Sequence, residues 1–207
     1  MAEHTDTSTN TPEEIVYYDQ RSVTLRTTQS ICLLQEHDKS AMLELILKSY
    51  SQKQVIIVVK SKKKADTLSA LLISKGLNAT AVHGNHRQTQ QQESAKKFNL
   101  SEIHIIITTD MILKTLALEN IALVLSHDLP EMAQGYYDRV ALMKELGVAI
   151  ALVSPEDEPL LSDIEHNMKA EIEEQAVEGF VATPAPTANK KNKSKKPRHK
   201  KSRGNKE

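Results

Sequence analysis

Three short polar segments hold the residues that could do chemistry, and each of them directly follows an apolar run. They are HGNHRQ at 83–88, TTDMILK at 108–114 and HDLPEM at 127–132. They offer a glycine that lets the backbone approach a ligand, polar groups that donate hydrogen bonds, and cationic side chains. Free backbone N–H groups at the start of a helix bind phosphate well. These residue types therefore predict a site for phosphate groups.

Other reactive arrangements are not supported by the sequence. His83 and His86 have a spacing that metals use, but no third ligand is placed near them. The 207 residues contain no GxSxG and no GxxxxGK[ST], and the DEP at 157–159 has no strand-end context. Cys32 lies in the apolar stretch SICLLQ, which is typical of a buried thiol. We therefore predict no catalytic residue, no cofactor and no metal site.

Alternating apolar patterns indicate the elements that position the polar segments. Runs rich in β-branched residues predict strands at 54–59, 78–83, 103–108, 121–127 and 147–153. Amphipathic stretches predict helices at Lys39–Tyr50, Lys62–Lys75, Thr89–Phe98, Ala133–Leu146 and Leu160–Ala176. Such alternation implies an α/β domain with a mostly parallel sheet flanked by helices. Ligands bind beyond the carboxyl ends of such strands, so the three polar segments should share one rim.

The charge distribution along the chain is strongly asymmetric. The whole chain has 27 basic and 27 acidic residues. The segment 190–207 alone has ten Lys and Arg with one acidic residue, which leaves 17 basic and 26 acidic residues in 1–189. A basic arm on an acidic body suits an anionic partner, although such an arm could also serve only to keep the chain soluble.

Composition divides the chain into four parts. We predict a disordered N-terminal segment over 1–20, one domain over 21–176, a Pro/Ala/Thr-rich linker over 177–189 and a disordered basic tail over 190–207. No apolar run is long enough to cross a bilayer, and the start of the chain is polar and acidic. We therefore expect a soluble, cytoplasmic protein with no membrane partner.

Three stretches, in this order and spacing, resemble a known domain. They are QVIIVVKSKKKADTLSALLISKGLNA (54–79), AVHGNHRQTQQQESAKKFN (81–99) and IHIIITTDMILKTLALENIALVLSHDLPEMAQGYYDRV (103–140). They resemble the C-terminal RecA-like domain of DEAD-box RNA helicases, most closely the bacterial RhlE-type branch. The resemblance covers roughly residues 28 to 165, and it implies a single RecA-like domain with an RNA-facing rim.

The segment YYDRVALMKELG departs from this family where ATP chemistry is concerned. The family reads YxHRxGRxGR there, and its last two arginines reach the γ-phosphate of ATP bound to the N-terminal RecA-like domain. This chain has Asp138 for the His, retains Arg139, and has Leu142 and Glu145 at the two phosphate-reaching positions. Such arginines contribute about 10³–10⁵ in rate. We therefore predict that the chain is not an enzyme and that Arg139 is only a remnant of the ATP-contacting motif.

The preceding motif is also altered. The family reads TDxxxRGLD, where the Arg touches RNA and the last Asp binds the ribose of ATP. Thr109 and Asp110 remain, while Lys114, Thr115 and Ala117 replace the Arg, the Gly and the ribose-binding Asp. The chain thus keeps a cation at the RNA-contacting position and has no carboxylate at the ribose-binding position.

RNA contacts need hydrogen-bond donors and positive charge, which the chain retains. The family has an RNA-gripping Arg where this chain has Gln91, and Arg87 stands four residues earlier, on the same face if the turn is helical. The predicted RNA-binding residues of the core are Gly84, Asn85, Arg87, Gln88, Thr109 and Lys114. Those of the tail are Lys190, Lys191, Lys193, Lys195, Lys196, Arg198, Lys200, Lys201 and Arg203. The core residues could also be inherited scaffold.

Three functions remain open at this point. The leading interpretation is a catalytically inactive, RNA-binding helicase C-terminal-like module, associated with a ribonucleoprotein particle or the ribosome. The second is one half of a split ATP-dependent RNA helicase whose N-terminal half is a separate chain. The third is a protein-interaction module that makes no RNA contact.

Overall fold

The computed structural model describes residues 27–143 and 146–183. The strands are β1 (Thr27–Leu33), β2 (Val55–Val58), β3 (Ala79–Val82), β4 (Ile105–Thr108), β5 (Leu123–Ser126), β6 (Gly147–Val153) and β7 (Glu173–Glu174). The helices are α1 (Lys39–Ser49), α2 (Lys62–Ser74), α3 (Gln88–Asn99), α4 (Asp110–Leu113), α5 (Ala133–Val140) and α6 (Glu158–Met168). Two short 3₁₀ helices, Glu36–Asp38 and Pro155–Asp157, precede α1 and α6. The predicted segment 1–20 and the basic tail 190–207 lie outside the described residues.

The seven strands form one sheet in the order β3-β4-β2-β5-β6-β1-β7. Every pair in the sheet is parallel. All strands therefore end at the same edge, which we call the carboxyl rim, and the turns after β2, β3, β4 and β5 meet there. The predicted fold class, a mostly parallel α/β sheet flanked by helices, is confirmed.

Apolar side chains fill both faces of the sheet. Along β2, Ile56 and Val58 join the core under α3 to α6, while Val55 and Ile57 join the core under α1 and α2. All four are fully buried. This double burial explains why β2 is continuously apolar rather than alternating, and it makes the carboxyl rim the end of a rigid scaffold.

Helix α2 has a side-chain cap at its start and a glycine just past its end. The Ser61 hydroxyl accepts a hydrogen bond from the backbone N–H of Lys64 at 3.2 Å. Gly76, just past the end of the helix, has a φ of +79°, a conformation that favours glycine. The Ser61 cap makes α2 begin directly after the turn that follows β2.

Two predicted helices are longer than the observed ones. The helix predicted to reach Leu146 ends at Val140, and the apolar pattern continues only because Met143 and Leu142 pack on the core from a turn. The helix predicted to reach Ala176 ends at Met168, where Lys169 has a φ of +54°. In both places an apolar residue of a turn keeps the helical period without helical backbone.

Strands β1 and β7 are absent from the predicted set. In β1, Thr27 and Ser30 are polar yet buried, so the strand shows no apolar period. The Ser30 hydroxyl donates to Gln175 Oε1 at 2.7 Å, beside the two residues of β7. Strand β1 is therefore held by neighbours on both sides rather than by an apolar pattern of its own.

The domain continues past the predicted boundary at residue 176. Val177 and Phe180 pack against the core under α1 and α2. Thr183 then binds Asp38, with its hydroxyl 2.6 Å from Oδ1 and its backbone N–H 3.1 Å from Oδ2. The first residues of the predicted linker 177–189 are thus part of the folded domain.

Within the described ranges, no helix is both long and apolar enough to cross a membrane.

Candidate functional site

A groove of about 980 Å³ lies along the carboxyl rim, between the turns that follow β2, β4 and β5. Four lysines line it: Lys60, Lys62, Lys63 and Lys114. Three carboxylates also line it: Asp110, Glu131 and Asp138. Exposed apolar side chains of Met111 and Met132 complete the walls. An open, cation-bearing groove with apolar walls suits an extended polyanion.

The turn after β2 is held by Asp128, the residue that follows β5 by two positions. Asp128 Oδ2 accepts the backbone N–H of Lys60 at 3.0 Å, and Oδ1 accepts Lys64 Nζ at 2.6 Å. Burial acts to raise the pKa of Asp128, but hydrogen bonds from His127, Lys64 and the Lys60 N–H outweigh it and hold this pKa well below its ordinary value. Asp128 is therefore a charged anchor that positions the lysines of the groove.

A buried ion cluster supports the same rim behind Asp128. Lys39 is only 1% exposed, and its Nζ lies 2.8 Å from Glu36 and 2.9 Å from Asp157. Burial acts to raise the pKa of both carboxyls, but hydrogen bonds from Lys39 and further donors lower them below their ordinary values. The starts of α1 and α6 are thereby locked together.

The turn after β3 borders the groove through Gly84 and Asn85. The Asn85 side-chain oxygen accepts Lys62 Nζ at 2.8 Å. A Cβ at Gly84 would lie 3.6 Å from Lys62 Nζ, so the glycine backbone is next to a cation of the groove. These two predicted residues therefore share one surface with the groove lysines.

Gln88 lines a different part of the surface from the groove, and Arg87 is not among the residues that line the groove. Arg87 is exposed and is the N-cap of α3, with a ψ of 149°, so the turn is not yet helical there. Gln88 lines a separate, mostly apolar depression with Thr115 and Ala117. Gln91 donates to the His86 carbonyl at 2.9 Å and braces the turn instead of facing outward. The structure thus does not bring Gln88 into the groove, and Arg87 does not share a helical face with Gln91.

The histidines of the turn form a compact group with one residue of α2. His83 Nε2 lies 2.8 Å from Asp66 Oδ1, and the His83 and His86 rings are stacked with centroids 4.2 Å apart. Burial and the neighbouring His83 lower the pKa of His86. The expectation that no third ligand stands near the two histidines is corrected, because α2 crosses behind the turn and brings Asp66 to them.

Thr109 and Lys114, two of the predicted RNA-binding residues, both line the groove. Thr109 is the N-cap of the short helix α4, and its carbonyl accepts the N–H of Ile112 at 3.0 Å. Lys114 is 65% exposed and forms an ion pair of 2.7 Å with Asp138. The cation is accessible, but it has a carboxylate partner in the absence of a ligand.

Lys60, Lys62 and Lys63 are site residues that the sequence pattern does not single out. They belong to the run KSKKK, whose pattern indicates only the start of a helix. In the structure the run directly follows β2 and turns at the rim, so its side chains reach the groove. The signal that predicts them is a basic run at the carboxyl end of a buried strand.

Ala117 and Leu142, two of the positions to which the resemblance assigns nucleotide contacts, do not line the groove. Leu142 is half-buried, packs on the core and lines a depression with Leu118 and Leu146. Ala117 is exposed, and its carbonyl accepts Asn99 Nδ2 at 2.8 Å. Glu145 lies outside the described residues. Ala117 and Leu142 therefore offer neither a carboxylate nor a cation to a nucleotide.

The parallel sheet, its helix-covered faces and its polar rim define a single RecA-like α/β domain. The model of the helicase conserved C-terminal domain matches residues 38–141, and the chain belongs to this family.

Curated relatives and solved structures agree with this assignment. The chain is 35% identical over 174 residues to "ATP-dependent RNA helicase SUB2-2" of Vanderwaltozyma polyspora, covering 82% of this chain and 39% of that protein. It is 34% identical over 173 residues to "ATP-dependent RNA helicase SUB2" of Eremothecium gossypii, covering 81% and 40%. The chain thus spans about two fifths of the length of these relatives.

Solved structures share the fold. A DEAD box protein from Methanococcus jannaschii superposes with a TM-score of 0.70 at 22% identity, covering 81% of this chain and 49% of that one. Saccharomyces cerevisiae Dbp5 bound to RNA and ADP BeF3 gives 0.67 at 19% identity, covering 83% and 50%. The C-terminal RecA-like domain of DEAD-box RNA helicases is thereby confirmed as the fold. The predicted RhlE-type branch is not confirmed by these relatives, which are SUB2 proteins.

Proposed function

We propose that this chain is an RNA-binding module that holds an RNA backbone along the rim groove and uses its basic tail as a second anchor. The observation that carries the proposal is the convergence of Lys60, Lys62, Lys63 and Lys114 on one groove at the end of a rigid sheet. Cations that neutralise RNA phosphates release counterions and supply most of the affinity for any sequence. The relatives' activity on RNA supports the choice of polyanion.

The balance of charge inside the groove favours an anion. Asp110 is paired with Arg139, and Asp138 is paired with Lys114. Among the described residues, the side chains of Lys60 and Lys63 have no carboxylate partner. Glu131 is the one groove carboxylate with no cationic partner among the described residues, so the unpaired charges of Lys60 and Lys63 outweigh the unpaired negative charge.

Thr183, the last described residue, lies at the same rim as the groove. Thr183 is bound to Asp38, which lies five residues past the end of β1. Six residues separate Thr183 from Lys190, a span of at most about 25 Å at roughly 3.5 Å per residue. Lys190, Lys191, Lys193, Lys195, Lys196, Arg198, Lys200, Lys201 and Arg203 of the tail would thus start within reach of an RNA that lies in the groove.

Fluorescence anisotropy with a labelled single-stranded RNA over a range of salt tests this proposal. Deleting residues 190–207 should weaken binding and flatten the salt dependence by about 0.7 for each phosphate that the tail neutralises in the full chain. In the shortened chain, the double variant Lys60→Ala, Lys63→Ala should lose most of the remaining affinity. The matched control is Lys48→Ala with Lys169→Ala, because these lysines lie at the ends of α1 and α6, at the opposite edge of the sheet. Equal losses in both double variants would contradict a specific groove.

We also propose that the chain alone does not hydrolyse ATP. The support is chemical, since Leu142, Glu145 and Ala117 supply neither the cations nor the ribose contact that such hydrolysis needs. RNA-stimulated phosphate release that follows the chain through purification and disappears in Arg139→Ala would contradict this.

A split helicase is the second candidate, because the SUB2 relatives are ATP-dependent RNA helicases and this chain spans only part of their length. Its test adds the N-terminal half of such a relative as a separate chain and measures ATP hydrolysis. Activity that rises with the added half would favour it. A chain that binds no RNA under any condition would instead favour the protein-interaction module. Membership of the RhlE-type branch is a separate matter and stays a prediction.

A further inference from the structure

Three potential metal ligands converge behind the turn that follows β3. Asp66 comes from α2, while His83 and His86 come from the turn itself. One ligand atom from each residue lies within 4.8 Å of the other two. We propose that Asp66, His83 and His86 bind one divalent transition-metal ion of the zinc class, and this proposal does not rest on the proposed RNA binding.

The distances are close to those of a bound ion. Zinc bonds of about 2.0–2.2 Å in a tetrahedral arrangement place the ligand atoms about 3.3–3.6 Å from one another. His83 Nε2 and Asp66 Oδ1 are now 2.8 Å apart and need to separate by about half an ångström. The widest separation among the ligand atoms, at most 4.8 Å, needs to close by about an ångström.

The side chains that must move are the ones that have room. His83 is 3% exposed and is fixed in the core, so it is the stationary ligand. Asp66 is exposed and His86 is half-buried. Rotation of these two side chains can therefore bring their ligand atoms and that of His83 around one metal position, although the two imidazole rings are now stacked. An ion on His83 Nε2 moves the ring proton to Nδ1, so the 3.4 Å contact from the Asn85 N–H must open. Gly84, which stands between them, gives the turn the freedom to do so.

The donor set selects the class of ion. Two imidazoles and one carboxylate suit zinc, nickel, copper and cobalt, whereas calcium and magnesium prefer sites made of oxygen atoms. Three protein ligands leave a fourth position for water, as in zinc sites that are open on one side. The carboxylate is 17 residues before the first histidine, so only the packing of α2 against β3 brings the set together.

Titration of the full chain with Zn²⁺ against a chromophoric chelator tests the site. We expect one tightly bound ion per chain, and affinity at least about tenfold weaker in Asp66→Asn and in His86→Gln, because loss of even a residue that orients a ligand costs about 10–100-fold. The matched control is His166→Gln, an exposed histidine of α6, which should bind as the original chain does. Co²⁺ should give the visible absorption of a four- or five-coordinate site in the control and lose it in both variants.

The variants keep the experiment decisive because they avoid His83, whose loss would disturb the core. Circular dichroism and the melting temperature in the presence of a chelator should be unchanged for Asp66→Asn and His86→Gln. Zn²⁺ should then raise the melting temperature of the original chain and not that of these variants. If all four chains bind Zn²⁺ equally, or if none binds it more tightly than the chelator's background, the proposal is wrong.

Discussion

Arg139 and Asp110 form a bidentate ion pair at the base of the rim groove. Arg139 Nε donates to Asp110 Oδ1 at 2.6 Å and Nη2 donates to Oδ2 at 2.7 Å. The third nitrogen, Nη1, donates to the Asp128 carbonyl at 2.7 Å. The guanidinium thereby joins α4, α5 and the turn after β5, and it is 1% exposed. Arg139, which the resemblance assigns to the ATP-contacting motif, therefore connects α4, α5 and the turn after β5 and stabilises their packing.

Replacing Arg139 by Ala should lower the free energy of unfolding by about 2 kcal/mol, because the half-exposed Asp110 and the Asp128 carbonyl lose charge-assisted hydrogen bonds and a buried side chain is removed. Urea unfolding followed by circular dichroism measures this. The matched control is Arg87→Ala, an exposed arginine whose replacement should change the free energy of unfolding by no more than about 0.5 kcal/mol. Equal free energies of unfolding for the two variants would show that the Arg139–Asp110 ion pair does not stabilise the fold.

The sequence predicts the sheet better than it predicts the ends of the helices. Strands β2 to β6 are apolar because both faces of the sheet are covered, and that pattern is visible without a structure. The ends of α5 and α6 cannot be predicted from the sequence. Met143 and Ile172 lie beyond these helices but pack on the core, so they continue the helical spacing of apolar residues. Strand β1 cannot be predicted from the sequence, because its buried polar residues interrupt the apolar pattern.

The candidate site divides in the same way. The sequence predicts Gly84, Asn85, Thr109 and Lys114, and the structure places them at or beside one groove because parallel strands end at one edge. Two features depend on how separate elements pack, which spacing does not encode. These are the pairing of Lys114 with Asp138 across α4 and α5, and the approach of Asp66 to the two histidines.

Stability should fall in acid because of the carboxylates at the rim. Asp128, Glu36 and Asp157 have pKa values below their ordinary 3.8, 4.5 and 3.8. A carboxyl whose pKa is lower in the folded state stabilises the fold fully above its unfolded-state pKa, and this stabilisation is lost as the pH falls toward its folded-state pKa. The free energy of unfolding should therefore decline steeply below about pH 4.5, after a smaller decline that begins near pH 6.5 because the pKa of His86 is lowered in the folded state.

Urea unfolding at a series of pH values checks this decline. In Asp128→Asn one titrating group is removed, so the acid slope should be shallower, although the variant is less stable at pH 7 because Lys64 and the Lys60 N–H lose a charged acceptor. A matched control, Asp163→Asn, changes an exposed carboxylate of α6 and should keep the original slope. A free energy of unfolding that rises as the pH falls from 5 to 3 would contradict the assignment.

Asp138→Asn should strengthen RNA binding. Asp138 holds Lys114 Nζ at 2.7 Å, so the neutral amide frees this cation and removes a negative charge from the groove wall. An exposed ion pair contributes about 0.2–1 kcal/mol, so the gain should be about 1.4- to fivefold at low salt and should shrink at high salt. Anisotropy titrations with the same RNA measure it, with Asp163→Asn as the control that changes net charge equally away from the groove. Equal gains in both variants would indicate an effect of net charge alone.

Gly84→Ala should weaken RNA binding without loss of stability. A Cβ at this position meets Lys62 Cε and Nζ at 3.6 Å and Ile112 Cδ1 at 3.7 Å, which are ordinary contacts, so the fold accepts the methyl group. The same methyl group stands where a phosphate would approach the Gly84 N–H, because the N–H groups of Asn85, His86 and Arg87 already donate within the turn. Loss of one hydrogen bond to a charged group costs about 1.5–3 kcal/mol, so binding by the chain lacking residues 190–207 should weaken by about tenfold or more.

A graded series makes this result specific to the groove. Gly84→Val should weaken binding further than Gly84→Ala, because the larger side chain holds the phosphate farther from the backbone. Gly135→Ala is the contrasting variant, since its Cβ would lie 2.8 Å from Pro130 Cβ and should lower the melting temperature. Melting curves and anisotropy titrations of the three variants separate the two effects. If Gly84→Ala keeps both its stability and its affinity for RNA, the turn after β3 does not hold a phosphate, and the core contacts are confined to the lysines of the groove.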